Sequence, residues 1–454
     1  MVQNNKVLVV GFGKSGTAAA ALLEEKGADV ILYDSNEMKS VQEVQEKLPA
    51  GFHGQMIAGV LPEEIKTGLS LVVLSPGVPT DIPMVNELRD AGVPIWGEIE
   101  LAYRFGKGKI IAVTGTNGKT TTTALTGEIM KTWYQSVFVV GNIGDPYTLE
   151  VDKMGEDSVT VAEISSFQLE TIHKFRPDVS AILNITPDHL NRHHTMENYI
   201  DAKLSITRNQ TKEQVCVLNY EDEVLQKKAA EIPAKVVFFS SRRTLRDGIC
   251  LIGDEICLCR AGTSEPLCNI HELRLLGEHN YENVMAAIAM SMHAGVPMDH
   301  ILKAVKEFRA VEHRIEYVDE INGVKYFNDS KGTNPDAAIK GIQAMPGPTC
   351  LIGGGYDKGS SYDEWIEAFD GKVKKLVLLG ATRDAIADCA RAHGFTDIIL
   401  TDTLKEAVEL CAAHAAPGEC VLLSPACASW GMFENYEQRG DLFKEYVNKM
   451  KKEE

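Results

Sequence analysis

Short apolar runs that stop at a glycine, a proline or an acid, each followed by a stretch with helical periodicity, recur along the 454 residues of the chain. KVLVV (Lys6 to Val10) predicts a strand, Thr17 to Lys26 an Ala/Leu-rich helix, DVILYD (Asp29 to Asp34) a second strand, and LVVLSPG (Leu71 to Gly77) a later one that breaks at Pro76. A second block starts after Pro94 and Trp96. It holds IIAVT (Ile110 to Thr114), VFVVGNIG (Val137 to Gly144), SVTVAEISSFQLE (Ser158 to Glu170) and VSAILNITPDHLNRH (Val179 to His193), each with polar residues at or just past its carboxyl end. From Val215 to about Arg274 the runs VCVLNY, KVVFFS, GICLIGDEICLC and HELRL predict short strands that extend this sheet, and Leu275 to Val296 a glycine turn and an Ala/Met-rich helix. A third block begins near Val311 and alternates again through KYFN, TCLIG, KLVLL, DIIL and CVLL. Strand–helix alternation of this kind predicts doubly wound α/β sheets, with ligands at the carboxyl ends of the strands.

The densest chemistry lies in IIAVTGTNGKTTTT, Ile110 to Thr123. Gly115 and Gly118 let the backbone curl so that the N–H groups of Thr116, Asn117 and their neighbours face one concavity at the start of the next helix. Lys119 then reaches a terminal phosphate, and Thr120, followed by Thr121, offers a hydroxyl to Mg2+. The strict phosphate-loop pattern has glycine where Val113 stands, so the match is to the shorter form T-G-T-N-G-K-T; an ordinary strand-to-helix turn is the bland alternative. Near the N-terminus, Gly11-Phe12-Gly13-Lys14-Ser15-Gly16 opens a helix and Asp34 follows about 20 residues on, the fingerprint of a dinucleotide-binding turn. Taken alone it allows an NAD-dependent oxidoreductase, a reading weakened by the second phosphate loop. Gly77 leaves room for a ligand at the same sheet edge.

Glu163 follows TVA, and Asp188 with His189 follows ILNIT; a carboxylate and an imidazole beside a loop threonine would make a Mg2+ shell, with imidazole the less usual donor to a hard cation. A capping or core histidine is the alternative for His189. Glu170, Asn184 and His193 stand near the same strand ends. Lys203 lies on a helix whose positions Tyr199, Ala202 and Ile206 face inward, a costly place for an amine unless it is paired, modified or snorkelling. Asn280 and Asn283, three apart, share a face at the first turn of their helix and either cap it or read a purine edge.

Composition narrows the class. Hydrophobic content of 44% and charged content of 24% are those of a globular protein, and a net charge of -18 argues against a nucleic-acid partner. No apolar run reaches the ~18 residues of a membrane span and no signal-peptide flank precedes Lys6, so a cytoplasmic protein is expected. The ten cysteines show no C-x-x-C pair, and Cys257 and Cys259 point to one strand face as buried thiols.

TGTNGKTTTT (114–123), EISSFQLE (163–170), NITPDHLNRH (184–193), Ala202-Lys203, GEHNYENVMAA (277–287), His313-Arg314, NDSKGTNPDA (328–337), GGYDKG (354–359) and LLSPACASWGMFENYEQRG (422–440) together resemble the Mur ligase family. The similarity runs through nearly the whole chain, and it is closest to the members that add D-glutamate to UDP-N-acetylmuramoyl-L-alanine. It implies three domains: 1–97 Rossmann-like for the UDP substrate, 98–310 a P-loop ATPase-like mixed sheet with helices, and 311–454 Rossmann-like for the amino acid. It implies ATP and two Mg2+, with Lys119 on the phosphates, Thr120, Glu163 and His189 on metal, and Lys203 carbamylated so that it too binds metal. By the same resemblance Asn283 takes adenine, Arg314 and Asp329 contact ATP, and Asn142 lies near the substrate. Lys331, Thr333, Lys358, Ser429 and Tyr436 line the amino-acid region, and Ser15, Asp34 and Gly77 surround the uracil nucleotide. The family often has Phe at the position of Tyr436 and Thr-Arg at Ser35-Asn36. Members adding a diamino acid carry D-N-P-R where this chain has GGYDKG; ligases adding L-alanine or D-Ala-D-Ala are further alternatives. A folylpolyglutamate synthetase would not need the first block. A monomer acting on small molecules is expected.

Overall fold

The computed structural model describes residues 2–275, 277–309, 312–357 and 359–451, the side chains of Asn191 and Asp336 apart. Two compact units divide the chain: Met1–Ile270 with Glu282–Val305, and His271–Tyr281 with Lys306–Glu454.

The first unit contains two sheets. One has the strand order Gln55–Ala58, Asp29–Asp34, Lys6–Val10, Leu71–Leu74, Ile95–Gly97, all parallel. The chain reverses its winding between Lys6–Val10 and Leu71–Leu74, so the loops after these two strands flank the crevice where such sheets take ligands. Those loops are the glycine turn and Ser75 to Gly77. Gly11 has φ +112°, and a β-carbon there would stand 2.6 Å from Ser75 Oγ; one at Gly16 would stand 1.8 Å from the Gly11 carbonyl oxygen. A β-carbon at Gly13 or Gly77 would meet nothing within 4 Å.

The other sheet runs Thr263–Asn269, Glu255–Arg260, Gly248–Ile252, Lys235–Ser240, Val215–Asn219, Val179–Ile182, Lys109–Thr114, Val159–Glu163, Val137–Gly141. It is parallel from Val137–Gly141 to Gly248–Ile252, and the last two strands add on antiparallel. The strand Lys109–Thr114 lies inside, paired on both edges, which explains its unbroken apolar sequence. HELRL is not a strand: Ile270–Glu272 forms a 3-10 turn, and the final strand is the polar TSEPLCN just before it. That strand is exposed over its first four residues, so it carries no apolar signature.

One apolar core runs from Val7, Val9 and Leu23 through Ile99, Leu101 and Tyr147 to Ile182 and Leu218, spanning both sheets. The helix Glu98–Phe105 stitches it with two buried acids. Glu100 accepts N–H bonds from His173, Lys174 and Phe175 and one from Arg104 Nε, and Glu98 accepts from the amide and hydroxyl of Thr148. So many donors let the Glu100 carboxylate tolerate a burial that would otherwise cost several kcal/mol, whereas Glu98 Oε2 has no hydrogen-bond partner among the described residues and burial raises the Glu98 carboxyl above its usual range.

The second unit has the order Glu316–Ile321, Val324–Asn328, Cys420–Leu423, Thr349–Gly353, Val373–Leu378, Ile398–Leu400. Five strands are parallel, as the alternation predicts; the antiparallel edge strand Glu316–Ile321 is an addition whose sequence EYVDEI alternates too weakly to stand out. No helix among the described residues is long and apolar enough to cross a membrane.

The glycine turn yields a stability test. Gly16→Ala, whose methyl meets backbone, should cost about 1–3 kcal/mol in urea unfolding, whereas Gly13→Ala should stay within about 0.5 kcal/mol of the parent.

Candidate active site

The strand Lys109–Thr114 delivers the chain into the glycine loop, and the 13-residue helix Lys119–Lys131 leaves it. Gly118 holds the helix N-cap with φ +86°, and a β-carbon there would lie 2.2 Å from Asn283 Oδ1. Gly115, at φ +148°, has more room but is still tight against the loop after Val179–Ile182, 3.2 Å from the Leu183 nitrogen for an added β-carbon. Both glycines are therefore demanded by the turn itself. The loop is clamped from the side by the segment after Val179–Ile182. Asn184 Oδ1 accepts from the Asn117 amide at 2.8 Å, its Nδ2 donates to the Asn117 carbonyl, and the Thr116 hydroxyl bonds the backbone of Thr186 and the Tyr199 hydroxyl at 3.0 Å. Asn283 Oδ1 accepts from Thr122 Oγ1 at 3.2 Å, which sets this asparagine against the loop.

Two amines converge on one carbonyl. Lys119 Nζ donates to the Gly115 and Thr116 oxygens at 2.8 Å each, and Lys203 Nζ donates to the same Gly115 oxygen at 2.7 Å. Lys203 is 1% exposed, comes from the helix Met196–Leu204, and lies 4.6 Å from the centre of the Tyr199 ring. Burial first and the Lys119 charge second hold its amine well below the ordinary lysine range, with Asp188 opposing them. The inward lysine of the sequence is thus buried outright; it does not snorkel.

Glu163 ends the neighbouring strand, 1% exposed. Its Oε1 accepts from Asn142 Nδ2 at 2.8 Å, and its Oε2 is buried with no hydrogen-bond partner among the described residues. An orphaned carboxylate oxygen beside a phosphate loop and the hydroxyl-bearing start of a helix is the donor set a hard cation takes, so Thr120 and Glu163 fit Mg2+. His189 is half-exposed and sits at the N-cap position of Leu190–His193 with φ +52°, but its side chain does not cap. Its ring lies 3.4 Å from Asp188 Oδ2 and 4.9 Å from the Phe167 ring centre, so it is neither a core nor a capping histidine. Glu170 and His193 belong to a structural cluster: Glu170 pairs with Arg192 at 2.7 Å and lies 3.3 Å from His193 Nδ1, at the edge of a cavity of about 360 Å3.

Beside the first sheet, Ser15 lies in the first turn of the helix Lys14–Glu25, and Gly77 is exposed. Asp34 accepts from the amides of Phe12 and Asn36 and from Lys39 Nζ at 2.7 Å. Burial raises its carboxyl, and these partners, led by Lys39, outweigh burial and hold it low.

In the second unit the predicted residues gather at the ends of Val324–Asn328 and Cys420–Leu423. Asp329 is buried, accepts from Ser424 Oγ at 2.7 Å and from the Ile315 amide at 3.3 Å. Arg314 is half-buried, and its Nε has no hydrogen-bond partner among the described residues. Lys331 Nζ stands 5.3 Å from the Tyr436 ring centre, and Ser330 Oγ donates to the Tyr436 carbonyl. Thr333 follows on the same loop, Ser429 is buried, and Lys358 lies outside the described residues.

The sequence missed Arg439. It is 2% exposed, donates Nε and Nη2 to Ser330 at 2.9 and 2.7 Å and Nη1 to the Cys427 carbonyl, and so ties the two loops together. Its position with Gly440, Phe443 and Val447 on the buried face of Tyr436–Met450 was the available signal. Tyr199 was read only as an apolar position, although its hydroxyl holds Thr116.

Comparison with known proteins agrees along the chain. Residues 5–97 match the Mur ligase MurD-like N-terminal domain, 113–291 the Mur ligase middle domain, and 313–427 the Mur ligase glutamate ligase domain. The UDP-N-acetylmuramoylalanine--D-glutamate ligase of Lachnoclostridium phytofermentans is 61% identical over 99% of both chains, and that of Clostridioides difficile is 45% identical over 99% of this chain and 100% of its own. Among solved structures, the MurC ligase of Thermotoga maritima aligns with TM-score 0.62 at 20% identity, over 99% of this chain and 100% of that one. The MurF ligase of the same organism, in complex with ADP, aligns with TM-score 0.60 at 18% identity, over 99% and 96%. With three successive domain models in register and relatives this similar from end to end, the chain belongs to the Mur ligase family.

Proposed function

We propose that this protein joins D-glutamate to UDP-N-acetylmuramoyl-L-alanine at the expense of ATP, giving ADP and phosphate. The observation that carries the amino acid and the acceptor is the relative at 61% identity that bears this activity in its name. The chemistry is supported by the glycine loop with Lys119 and Lys203 on one carbonyl beside the unpartnered Glu163 oxygen.

In this reading the L-alanine carboxylate attacks the γ-phosphorus of ATP, ADP leaves, and an acyl phosphate forms. The D-glutamate amine then attacks the acyl carbon, a tetrahedral intermediate collapses, phosphate departs and the new amide nitrogen gives up its proton. Two anions meet in the first step, so the loop amides and the Lys119 ammonium hold the phosphates against their own repulsion. Thr120, Glu163, His189 and a carbamylated Lys203 would hold two Mg2+, which when bound neutralise phosphate charge. The low basicity of Lys203 suits carbamylation: a neutral amine adds to CO2, forming an N–C bond and releasing a proton. Ser15, Asp34 and Gly77 are assigned to the uracil nucleotide, Asn142 to the acceptor, Asn283, Arg314 and Asp329 to ATP, and Lys331, Thr333, Lys358, Ser429 and Tyr436 to D-glutamate. Block 1–97 would hold the UDP part of the substrate, 98–310 would bind ATP, and 311–454 would bring the amino acid and add Arg314 and Asp329 to the ATP contacts.

Phosphate release with UDP-N-acetylmuramoyl-L-alanine tests the assignment. D-glutamate should drive turnover, and L-alanine or a diamino acid should not; Lys119→Ala should be silent with every amino acid while still binding the UDP substrate. Turnover with L-alanine in place of D-glutamate overturns the choice.

Lys203→Ala should lose activity and regain part of it with added short-chain carboxylates. In the parent, carbon-13 NMR with labelled bicarbonate should show a carbamate signal that the variant lacks.

Burial lifts the Asp329 carboxyl to about 7, against the pull of Ser424 and Arg314. Because the folded value lies above the unfolded one, the protonated acid stabilises the fold fully below about pH 4, and this stability is lost as pH rises through 7. Between pH 5 and 8 the parent should lose up to about 3 kcal/mol that Asp329→Asn retains, at about 1.4 kcal/mol per unit, read as a difference in urea midpoints.

A further inference from the structure

A second constellation of metal-binding side chains lies in the second unit and takes no part in the ligase reading. The helix Arg383–Ala392, capped by His393, carries Cys389 and His393 four residues apart on one face. The short helix Asp363–Glu367 carries Asp363 and Glu367, again four apart. Asp363 Oδ1 is 2.9 Å from His393 Nε2 and 3.8 Å from Cys389 Sγ, and the sulfur, nitrogen and oxygen all lie within 4.8 Å of one another. The other ring nitrogen, Nδ1, is 3.9 Å from Glu367 Oε1. Of the ten cysteines, nine are buried and Cys389 alone is not.

We propose that Asp363, Cys389 and His393 form a Zn2+ site, with water in the fourth position and Glu367 orienting the imidazole from behind. The donor set selects the ion. A thiolate and an imidazole with one carboxylate suit zinc, whereas Mg2+ takes oxygen donors in octahedral array. Zinc bonds of about 2.0–2.3 Å place tetrahedral ligands roughly 3.3–3.7 Å apart, so the three atoms need only small movements to close on one centre. A carboxylate hydrogen-bonded to the second nitrogen of a ligating histidine fixes the tautomer that leaves Nε2 free to bind, and Glu367, 3.9 Å from Nδ1, reaches that distance by closing about 1 Å. On binding, the Cys389 S–H bond breaks, an S–Zn bond forms, and the proton passes to solvent. The ion would join the two helices on a face remote in sequence from every assigned substrate residue except Lys358.

The test uses the full chain in Mg2+ buffer with a thiol-reactive dye. The native protein should show one accessible thiol, and a small excess of Zn2+ should slow its labelling at least tenfold, while further Mg2+ should not. His393→Ala should keep the single reactive thiol, which shows that the other nine remain buried, and should lose the protection. Glu367→Gln should weaken protection by about 10–100-fold in Zn2+ concentration. Co2+ in place of Zn2+ should give a thiolate-to-metal charge-transfer absorption that Cys389→Ser abolishes. Equal labelling with and without Zn2+, equal protection in His393→Ala, or a cobalt band that survives Cys389→Ser would each overturn the site. None of these readouts depends on ligase activity, so failure here leaves the proposed reaction standing.

Discussion

Two lysine amines share the carbonyl oxygen of Gly115, and much of the central sheet is arranged around the consequence. Like charges about 5 Å apart repel by about 3 kcal/mol at an effective dielectric constant of 20, and one of these amines is almost wholly buried. Such a pair persists when one member gives up its proton or when anions arrive. The depressed basicity of Lys203 is the first response, and the second is open to any anion that the loop receives. A protein with net charge -18 does not offer this attraction through its overall field. It places cations locally, at the carboxyl edge of one sheet, and leaves a buried carboxylate oxygen of Glu163 at the same edge without a hydrogen-bond partner among the described residues.

Rigidity makes that arrangement usable. The loop cannot relax away from the two amines because Asn184 grips both backbone groups of Asn117, while Thr116 is held by Thr186 and Tyr199. Sheet order supplies these partners: Lys109–Thr114 lies between Val179–Ile182 and Val159–Glu163, so the loops after three adjacent strands meet. The second unit reaches the same end with one side chain, as Arg439 binds Ser330 and Cys427 and so fixes the loops after Val324–Asn328 and Cys420–Leu423 relative to each other.

What could be read from the sequence was what is local. The phosphate loop, the glycine turn and the parallel strands announce themselves within a dozen residues, because apolar runs and obligatory glycines sit side by side. The parts that escaped depend on distant partners. TSEPLCN forms a strand only because a hairpin edge is there to pair with, and HELRL has strand-like composition without an edge to join. Arg439 and the Tyr199 hydroxyl earn their roles through residues 109 and 83 positions away, beyond the reach of any periodicity. For Lys203 the sequence posed the right question, an amine on an inward face, and the depth of burial answers it.

The N-terminal turn shows why a motif and a ligand are different claims. Of the three glycines in G-x-G-x-x-G, Gly11 and Gly16 are required by the protein's own backbone, since a β-carbon at either would strike Ser75 or the Gly11 carbonyl. They report the fold and would be present whatever bound there. Gly13 alone faces open space, which admits a phosphate backbone of either a dinucleotide or a UDP-sugar. Asp34, the acid that a dinucleotide turn would direct at a ribose, is already engaged by Lys39 and two backbone amides. A nicotinamide dinucleotide and a UDP-sugar both present a ribose to such an acid, so the ion pair with Lys39 holds the turn without favouring either ligand. The choice between the two ligands therefore rests on residues beyond the turn and its acid, and the glycines themselves are neutral in it.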